Sequence, residues 1–272
     1  MTGRYAVIGN PIGHTKSPFI HTEFARQTGE DIRYEAIEAP LDGFTDIARA
    51  FFDAGGKGLN VTVPFKVAAH DMADVRREAA AICGASNCLT MDGGRLVAEN
   101  FDGVGLLRDI AVNLGVRLAG ARVLIAGAGG ATRGAVAPFL AAGVGEVVIA
   151  NRTVEKAEAI RDLLADRGAI TAVGYDGIED GFDLVLNSTS ASLSGKALPI
   201  PASAFDGCAL AYDLAYGKGR TPFLAQAEAG GAGCIADGVG MLVEQAAEAF
   251  LWWRGIRPDT APVIAALTVP LV

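Results

Sequence analysis

The segment Val123–Thr132, which reads VLIAGAGGAT, constrains the fold of this 272-residue chain more than any other feature. A buried apolar run leads directly into a glycine-rich turn, and the residues after the turn favour a helix. Glycine permits this tight connection because it adopts backbone conformations that other residues avoid. The segment therefore predicts a strand, a turn and a helix of a parallel α/β sheet.

The same alternation of short apolar runs and helical spacing continues along the chain. Strands are predicted at Tyr5–Ile8, Arg33–Ala39, Gly58–Val63, Val123–Ala126, Val147–Ala150, Leu184–Leu186 and Leu210–Leu214, with a hairpin formed by Ser86–Met91 and Arg95–Ala98. Helices are predicted from Pro18 with Ser17 as its cap, over Asp42–Ala54 and Gly103–Leu114, from the glycine-rich turn through Leu140, and over Val154–Ala165 and Met241–Arg254.

The pattern restarts near residues 116–121, which predicts two α/β domains with a cleft between them. We expect residues 1–102 to form a substrate-binding and catalytic domain, to which residues 238–272 return. Residues 103–237 are expected to form a doubly wound, Rossmann-like nucleotide-binding domain.

The composition excludes several classes of partner. The formal net charge of −8 and the pI of about 4.9 argue against nucleic acid and against an anionic membrane surface. No apolar run approaches the roughly 18 residues of a membrane span. The four cysteines contain no Cys-x-x-Cys pair, and the histidines complete no metal-ligand spacing. We therefore expect a cytoplasmic protein that acts on a small molecule without a metal. Its state is expected to be monomeric or homodimeric, which the composition does not decide.

The glycine-rich turn predicts a dinucleotide site. Its residues Gly127, Ala128, Gly129, Gly130 and Ala131 would bring backbone N–H groups close to a pyrophosphate at a helix N-terminus. A tight turn without a ligand is the alternative interpretation, because Thr132 stands where the third glycine or alanine of the fingerprint is usual.

The end of the next strand favours NADP over NAD. It carries Asn151, Arg152 and Thr153, where an NAD site places a carboxylate. Arg152 can pair with the 2′-phosphate, and Arg133 and Lys156 are weaker candidates for the same role. A solvated surface arginine is the alternative, but the register of Arg152 with the turn favours the phosphate.

Two polar clusters in the first half predict a substrate site. Thr15 and Ser17 present hydroxyls at a helix N-terminus, which suits a carboxylate, although capping would explain one of them. Thr62 and Lys66 follow a strand, at the end of the sheet where ligands bind in α/β folds. Asn87 and Asp102 also fall at predicted strand ends or helix starts, which favours a site over isolated surface charges.

Several of these segments, taken in order, resemble the shikimate dehydrogenase family. They are Asn10–Pro18, Asn60–Lys66, Gly84–Asn87, Gly127–Gly134, Asn151–Thr153 and Asp237–Gln245. The resemblance covers nearly the whole chain and implies the NADPH-dependent reduction of 3-dehydroshikimate to shikimate, a step toward chorismate and the aromatic amino acids.

The resemblance also implies roles for single residues. Lys66 and Asp102 would be the catalytic pair. The substrate carboxylate would be held by Thr15 and Ser17, with Tyr216 nearby. The ring hydroxyls would be held by Thr62, Asn87, Asp102 and Gln245. The nicotinamide would be bordered by Gly238 and Met241.

The sequence departs from the family at a few positions. Thr15 replaces a serine, Phe101 replaces the threonine before Asp102, and Ser86 and Cys88 flank Asn87 where valine and threonine are usual. These changes leave open a paralogue with weak shikimate turnover or with activity on quinate. If the Phe101 ring reshapes the pocket, Phe101→Thr should raise shikimate turnover.

A non-catalytic NADP-binding regulatory module is a more remote alternative, because both Lys66 and Asp102 are intact. The remaining candidates for chemistry have simpler explanations. We expect surface or capping positions for His14, His21 and His70, and packing at the domain junction for Trp252 and Trp253.

Overall fold

The computed structural model describes residues 2–217 and 219–271, and the chain divides into two compact units. The first unit comprises the residues up to Gly105 together with Val243–Val263. The second comprises Leu106–Leu242 together with the residues from Ile264 onward. Within the described residues, no helix is both long and apolar enough to cross a membrane.

These limits differ from the predicted ones at the end of the chain. We expected all of 238–272 to return to the first domain, but residues 238–242 and those from Ile264 onward belong to the second unit. A physical reason is that Leu271 packs against the hydrophobic core of that second unit.

The first unit contains a mixed six-stranded sheet in the order β2-β1-β3-β5-β6-β4. Strand β1 pairs in parallel with β2 and β3, whereas β5 is antiparallel to both of its neighbours. The strands are β1 (Gly3–Gly9), β2 (Ile32–Glu38), β3 (Gly58–Val61), β4 (Val75–Arg76), β5 (Cys88–Asp92) and β6 (Arg95–Glu99). The helices that begin in this unit's first segment are α1 (Ser17–Thr28), α2 (Phe44–Asp53), α3 (Lys66–Met72), α4 (Glu78–Cys83) and α5 (Asp102–Arg108).

The second unit contains a six-stranded sheet in which every pair is parallel, in the order β12-β11-β10-β7-β8-β9. Its strands are β7 (Arg122–Ala126), β8 (Glu146–Ala150), β9 (Ile170–Val173), β10 (Leu184–Asn187), β11 (Leu210–Asp213) and β12 (Ile235–Asp237). The remaining helices of the chain are α6 (Gly130–Ala141), α7 (Val154–Leu163), α8 (Pro222–Ala229), α9 (Val239–Arg254) and α10 (Ala261–Leu267). The predicted two-part α/β fold, with a Rossmann-like second part, is confirmed.

Several local predictions were wrong in detail. Lys16, not Ser17, is the N-cap of α1, and Ser17 is the first helical residue. The predicted helix 103–114 is α-helical only to Arg108 and continues as a π-helical turn over Asp109–Asn113. Strand β5 begins at Cys88 rather than at Ser86. The Ser86 Oγ lies within hydrogen-bond distance of two carbonyl oxygens, those of Glu99 (2.7 Å) and Cys88 (2.9 Å).

His21 is not a surface residue, which corrects the prediction for this histidine. It is fully buried on α1, one turn before Phe24, and its ring stacks on that of Tyr34 with centroids 4.1 Å apart. Burial lowers the pKa of His21 to about 3. The imidazole is therefore neutral in the native protein at neutral pH.

We expect His21 to make the first unit sensitive to acid. Below the ordinary histidine pKa of about 6.5, the unfolded chain binds a proton that the native protein excludes. Between about pH 6 and pH 3, the free energy of unfolding should therefore fall by about 1.4 kcal/mol per pH unit because of this residue. Urea unfolding of the wild type and of His21→Phe at several pH values measures this slope, which should be shallower in the variant. His14→Phe, at an exposed histidine, is the control, and equal slopes in all three proteins would contradict the prediction.

Candidate active site

The loops after β1 and β3 lie together at one edge of the first sheet. The two strands are parallel neighbours, with Ile8 opposite Val61, so their carboxyl ends coincide. The Asn10 N–H donates to the Val63 carbonyl oxygen across the loops, at 3.1 Å. A Cβ on Gly9 would lie 2.5 Å from the Thr62 methyl carbon, so only glycine permits this close approach. The predicted hydroxyls and the predicted lysine thus follow adjacent strand ends.

Lys66 and Asp102 form an ion pair. Lys66 is the first residue of α3 and Asp102 the first residue of α5. The Lys66 Nζ lies 2.5 Å from Asp102 Oδ2, and their side chains are 29% and 15% exposed. A charge-assisted hydrogen bond of this length holds the ammonium in place, while the remaining exposure leaves it open to a bound molecule.

Asn87 links Asp102 to Gln245. Its amide Nδ2 donates to Asp102 Oδ1 at 2.8 Å and to Gln245 Oε1 at 3.1 Å. Its Oδ1 accepts from the Phe101 backbone N–H at 2.9 Å, so the orientation of the amide is fixed. Four of the predicted site residues, Lys66, Asp102, Asn87 and Gln245, therefore form one connected group.

Thr15 and Ser17 form a hydroxyl pair at the N-terminus of α1. The Thr15 Oγ1 donates to the Ser17 Oγ at 3.2 Å and accepts from the Ser17 N–H at 3.3 Å. Ser17 is buried and Thr15 is half-buried. Two hydroxyls beside a helix N-terminus provide donors and a positive potential that suit a carboxylate.

A hydrogen-bonded pair, the half-buried Tyr34 and the buried Asn60, was not predicted. The Tyr34 hydroxyl donates to Asn60 Oδ1 at 2.6 Å, and the Asn60 Nδ2 donates to the Asn87 carbonyl oxygen at 3.4 Å. Burial raises the pKa of Tyr34 well above its usual value, so the phenol stays a donor. An asparagine within the otherwise apolar strand GLNV was the signal that could have pointed to it, because a buried amide requires partners.

In the second unit, the glycine-rich turn packs against the loop that follows β10. Gly127 has a φ of 108°, and a Cβ there would lie 2.6 Å from the Ser188 Oγ. The Thr132 hydroxyl is 2.8 Å from the Gly127 carbonyl oxygen and 2.6 Å from the Ser188 Oγ. Thr132 is buried and bonded here, which explains how it replaces the usual small residue of the fingerprint.

The turn leaves room on its other side. A Cβ on Gly129 or Gly130 would meet nothing within 4 Å, and Ala128 and Ala131 are half-buried. Helix α6 begins at Gly130 with Gly129 as its N-cap and no side-chain cap. Its first N–H groups are thus available to an anion, as a pyrophosphate site requires.

The end of β8 carries the predicted 2′-phosphate residues. Arg152 and Thr153 are exposed, and the Asn151 Nδ2 donates to the Thr153 carbonyl oxygen at 2.7 Å. Burial raises the pKa of Tyr175, and the nearby Arg152 charge opposes that rise.

The start of α9 is held within the second unit by a buried pair. The Tyr212 hydroxyl donates to Asp109 Oδ2 at 2.7 Å and accepts from the Met241 N–H at 3.3 Å. A Cβ on Gly240 would collide with Asp109, and one on Gly238 would lie 2.3 Å from the Leu214 carbonyl oxygen. Both glycines are therefore fixed by close packing.

Tyr216 also belongs to the second unit and is 41% exposed. Its predicted place near the substrate carboxylate stays a prediction. The same holds for the predicted contact of Gly238 and Met241 with a nicotinamide.

Known families match most of the chain. Residues 7–89 match the family described as "Shikimate dehydrogenase substrate binding domain". Residues 109–194 match "Shikimate / quinate 5-dehydrogenase", and residues 238–268 match "Shikimate 5'-dehydrogenase C-terminal domain".

Individual relatives agree with these matches. A protein of Alkalilimnicola ehrlichii named "Shikimate dehydrogenase (NADP(+))" is 55% identical, over 98% of this chain and 99% of the relative. The crystal structure of an Ael1 enzyme from Pseudomonas putida is 55% identical with a TM-score of 0.96, over 100% of both chains. A shikimate 5-dehydrogenase from Thermus thermophilus, solved with NADP(H) and shikimate, is 31% identical with a TM-score of 0.86, over 98% of each chain. By its sequence and by its fold, the chain belongs to the shikimate dehydrogenase family.

Proposed function

We propose that this protein catalyses the reversible, NADPH-dependent reduction of 3-dehydroshikimate to shikimate. The observation that carries the proposal is the Lys66–Asp102 pair at 2.5 Å, joined to Asn87 and Gln245. This group combines an ammonium that can donate a hydrogen bond to a carbonyl oxygen with neutral and charged acceptors for the hydrogen bonds of hydroxyls. The T. thermophilus relative, solved with NADP(H) and shikimate, supports the choice of ligands. This reaction would serve the route to chorismate and the aromatic amino acids.

NADP fits the residues of the second unit. The open side of the turn at Gly129 and Gly130, with the N–H groups of α6, would hold the pyrophosphate. Arg152 would pair with the 2′-phosphate, and Asn151 and Thr153 would add neutral donors. When bound, this cofactor supplies the hydride that the carbonyl carbon receives.

Lys66 would stabilise and protonate the substrate oxygen. Negative charge grows on a carbonyl oxygen as its carbon accepts a hydride, and a fixed ammonium beside that oxygen lowers the barrier. The same group can deliver the proton that completes the alcohol. Asp102 would keep the ammonium in position and accept a hydrogen bond from a ring hydroxyl.

The other candidates would orient the substrate. Thr15 and Ser17 would hold its carboxylate, with Tyr216 nearby. Asn87, Gln245 and Thr62 would bind ring hydroxyls, since amides and hydroxyls both donate and accept hydrogen bonds.

The test is a rate measurement with purified protein. Shikimate and quinate are each offered with NADP and with NAD, and the absorbance of the reduced nicotinamide is followed. Fast turnover of shikimate with NADP is expected. A preference for quinate would assign the chain to the paralogue left open by Thr15 and Phe101, and binding of NADP without turnover of either acid would assign it to a regulatory role.

Gly127→Ala is expected to weaken NADP binding by at least about tenfold, because the added methyl clashes with Ser188 in a left-handed conformation that alanine disfavours. Equilibrium titration of NADP by fluorescence measures the change. Gly143→Ala is the matched control, since Gly143 also has a positive φ (82°) but meets only the Ala119 Cα at 4.0 Å. Equal losses of affinity in both variants would show that the close approach to Ser188 does not matter.

A further inference from the structure

The ring of Phe101, the residue before Asp102, packs against Trp252 on α9. The two rings meet edge to face, with centroids 5.7 Å apart and an interplanar angle of 72°. Both rings are half-buried, and both residues belong to the first unit. Phe101 thus has a specific aromatic partner, and the edge-to-face arrangement of the two rings is one that aromatic pairs prefer.

Trp252 lies on the same face of α9 as Gln245. The two residues are seven positions apart, which corresponds to two helical turns. Gln245 approaches α5 so closely that a Cβ on Gly105 would lie 2.7 Å from the Gln245 backbone nitrogen. This face of α9 therefore contacts the segment around Asp102 at two points, through Gln245 and through Trp252.

A second path joins Trp252 to the same segment. The Arg77 guanidinium lies over the Trp252 ring, 5.6 Å from its centroid, and pairs with Glu99 at 3.4 Å. Glu99 Oε1 accepts from the Asn100 N–H at 2.8 Å, and Asn100 Oδ1 accepts from the Asp102 N–H at 3.0 Å. The aromatic pair and this polar chain both end at the start of α5.

Phe101 is also bonded to the site through its backbone. Its N–H orients the Asn87 amide, whose Nδ2 reaches both Asp102 and Gln245. The Phe101 ring and the N–H that fixes Asn87 belong to one residue, and Trp252 and Gln245 lie on one helix. The contact between the two rings therefore links the backbone segments that position Asn87 and Gln245.

We propose that Phe101 and Trp252 are paired positioning residues that set the distance between Asn87 and Gln245, and with it the recognition of a substrate ring hydroxyl. The proposal rests on the function proposed above. It predicts the opposite effect of Phe101→Thr from the one expected from the sequence. The change should impair the enzyme's action on shikimate rather than raise turnover, because it removes a contact that supports the site instead of relieving a crowded pocket.

The kinetic test is a set of three variants, Phe101→Thr, Trp252→Leu and the double change. Each single change should raise the KM for shikimate about fivefold, the range expected for the loss of one aromatic pair, with the KM for NADP unchanged. The double variant should be no worse than either single variant, because the rings act as a unit. Phe101→Tyr, which keeps the aromatic ring, should have the same KM for shikimate as the wild type.

Phe52→Thr is the matched control, because Phe52 makes an edge-to-face contact with Phe51 (5.4 Å, 78°) within the same unit. It should lower the Tm without changing the KM for shikimate. Gln245→Ala provides a further check, since Phe101→Thr should add no further loss once Gln245 is absent. Additive losses, or a higher turnover in Phe101→Thr, would overturn the proposal.

A crystal structure of Phe101→Thr tests the positioning independently of turnover. The 3.1 Å bond between Asn87 and Gln245 should lengthen or break in the variant. If the bond is unchanged in Phe101→Thr, the positioning role is refuted, even if the wild type is inactive on shikimate. If the wild type is inactive but Gln245 is displaced in the Phe101→Thr structure, only the proposed function is refuted.

Discussion

Lys66→Met is expected to lower kcat for shikimate by about 100- to 10,000-fold, the range typical of a group that both stabilises charge and transfers a proton. Methionine is unbranched and keeps much of the volume of lysine, although it is one atom shorter, and it carries neither the charge nor a proton to transfer. The dissociation constant of NADP should stay unchanged, because the candidate cofactor residues belong to the other unit of the chain. Steady-state rates and an NADP titration on the same preparation measure the two effects.

Lys57→Met is the appropriate control for this result. Lys57 is an exposed lysine of the same unit, so the variant repeats the change of charge without touching Asp102. A small loss of kcat in Lys66→Met, or an equal loss in both variants, would remove Lys66 from the chemistry. Since Asp102 loses its 2.5 Å partner in Lys66→Met, thermal unfolding should accompany the assay to exclude loss of the fold.

The secondary structure could be predicted where hydrophobic periodicity is strong. The predicted limits of β7, β8 and β10 each differ from the observed limits by one residue. These strands were predictable because a parallel strand covered on both faces is continuously apolar. Strand β9 (Ile170–Val173) was not predicted, since it is a sheet edge of half-exposed residues. His21 was wrongly predicted at the surface because histidine is a polar residue type. Its position on α1 beside Ile20 and Phe24 places it on the buried face.

The candidate site was predictable only in part. Lys66 and Asp102 are separated by 36 positions, and the resemblance to a family, rather than any spacing, predicted that they act as a pair. Asn60 signalled that a buried amide needs partners, but its partner Tyr34 could not be foreseen, because the bond joins β2 to β3 across the intervening β1. The contact of Phe101 with Trp252 likewise depends on how α9 packs, which a one-dimensional pattern does not contain.

Arg152→Ser is expected to lower kcat/KM with NADP by about 10- to 100-fold and to leave kcat/KM with NAD within a few-fold of the wild-type value. A hydrogen bond to a charged group contributes about 1.5–3 kcal/mol, and the 2′-phosphate that would receive it is absent from NAD. The ratio of the two kcat/KM values therefore isolates the interaction with the phosphate from any general damage to the enzyme. Raising the salt concentration should shrink the difference between wild type and variant, because Arg152 is exposed and its charge is screened.

The control for Arg152 is Arg161→Ser, which removes the same charge from α7, where the partly exposed Arg161 pairs with Asp162 at 2.9 Å. It should leave the ratio unchanged, because a distant surface charge adds little to either cofactor. If Arg152→Ser lowers kcat/KM with NADP and with NAD equally, the arginine supports the end of β8 structurally. The neutral donors Asn151 and Thr153 would then have to account for the choice of NADP, and neither carries the charge that a phosphate favours.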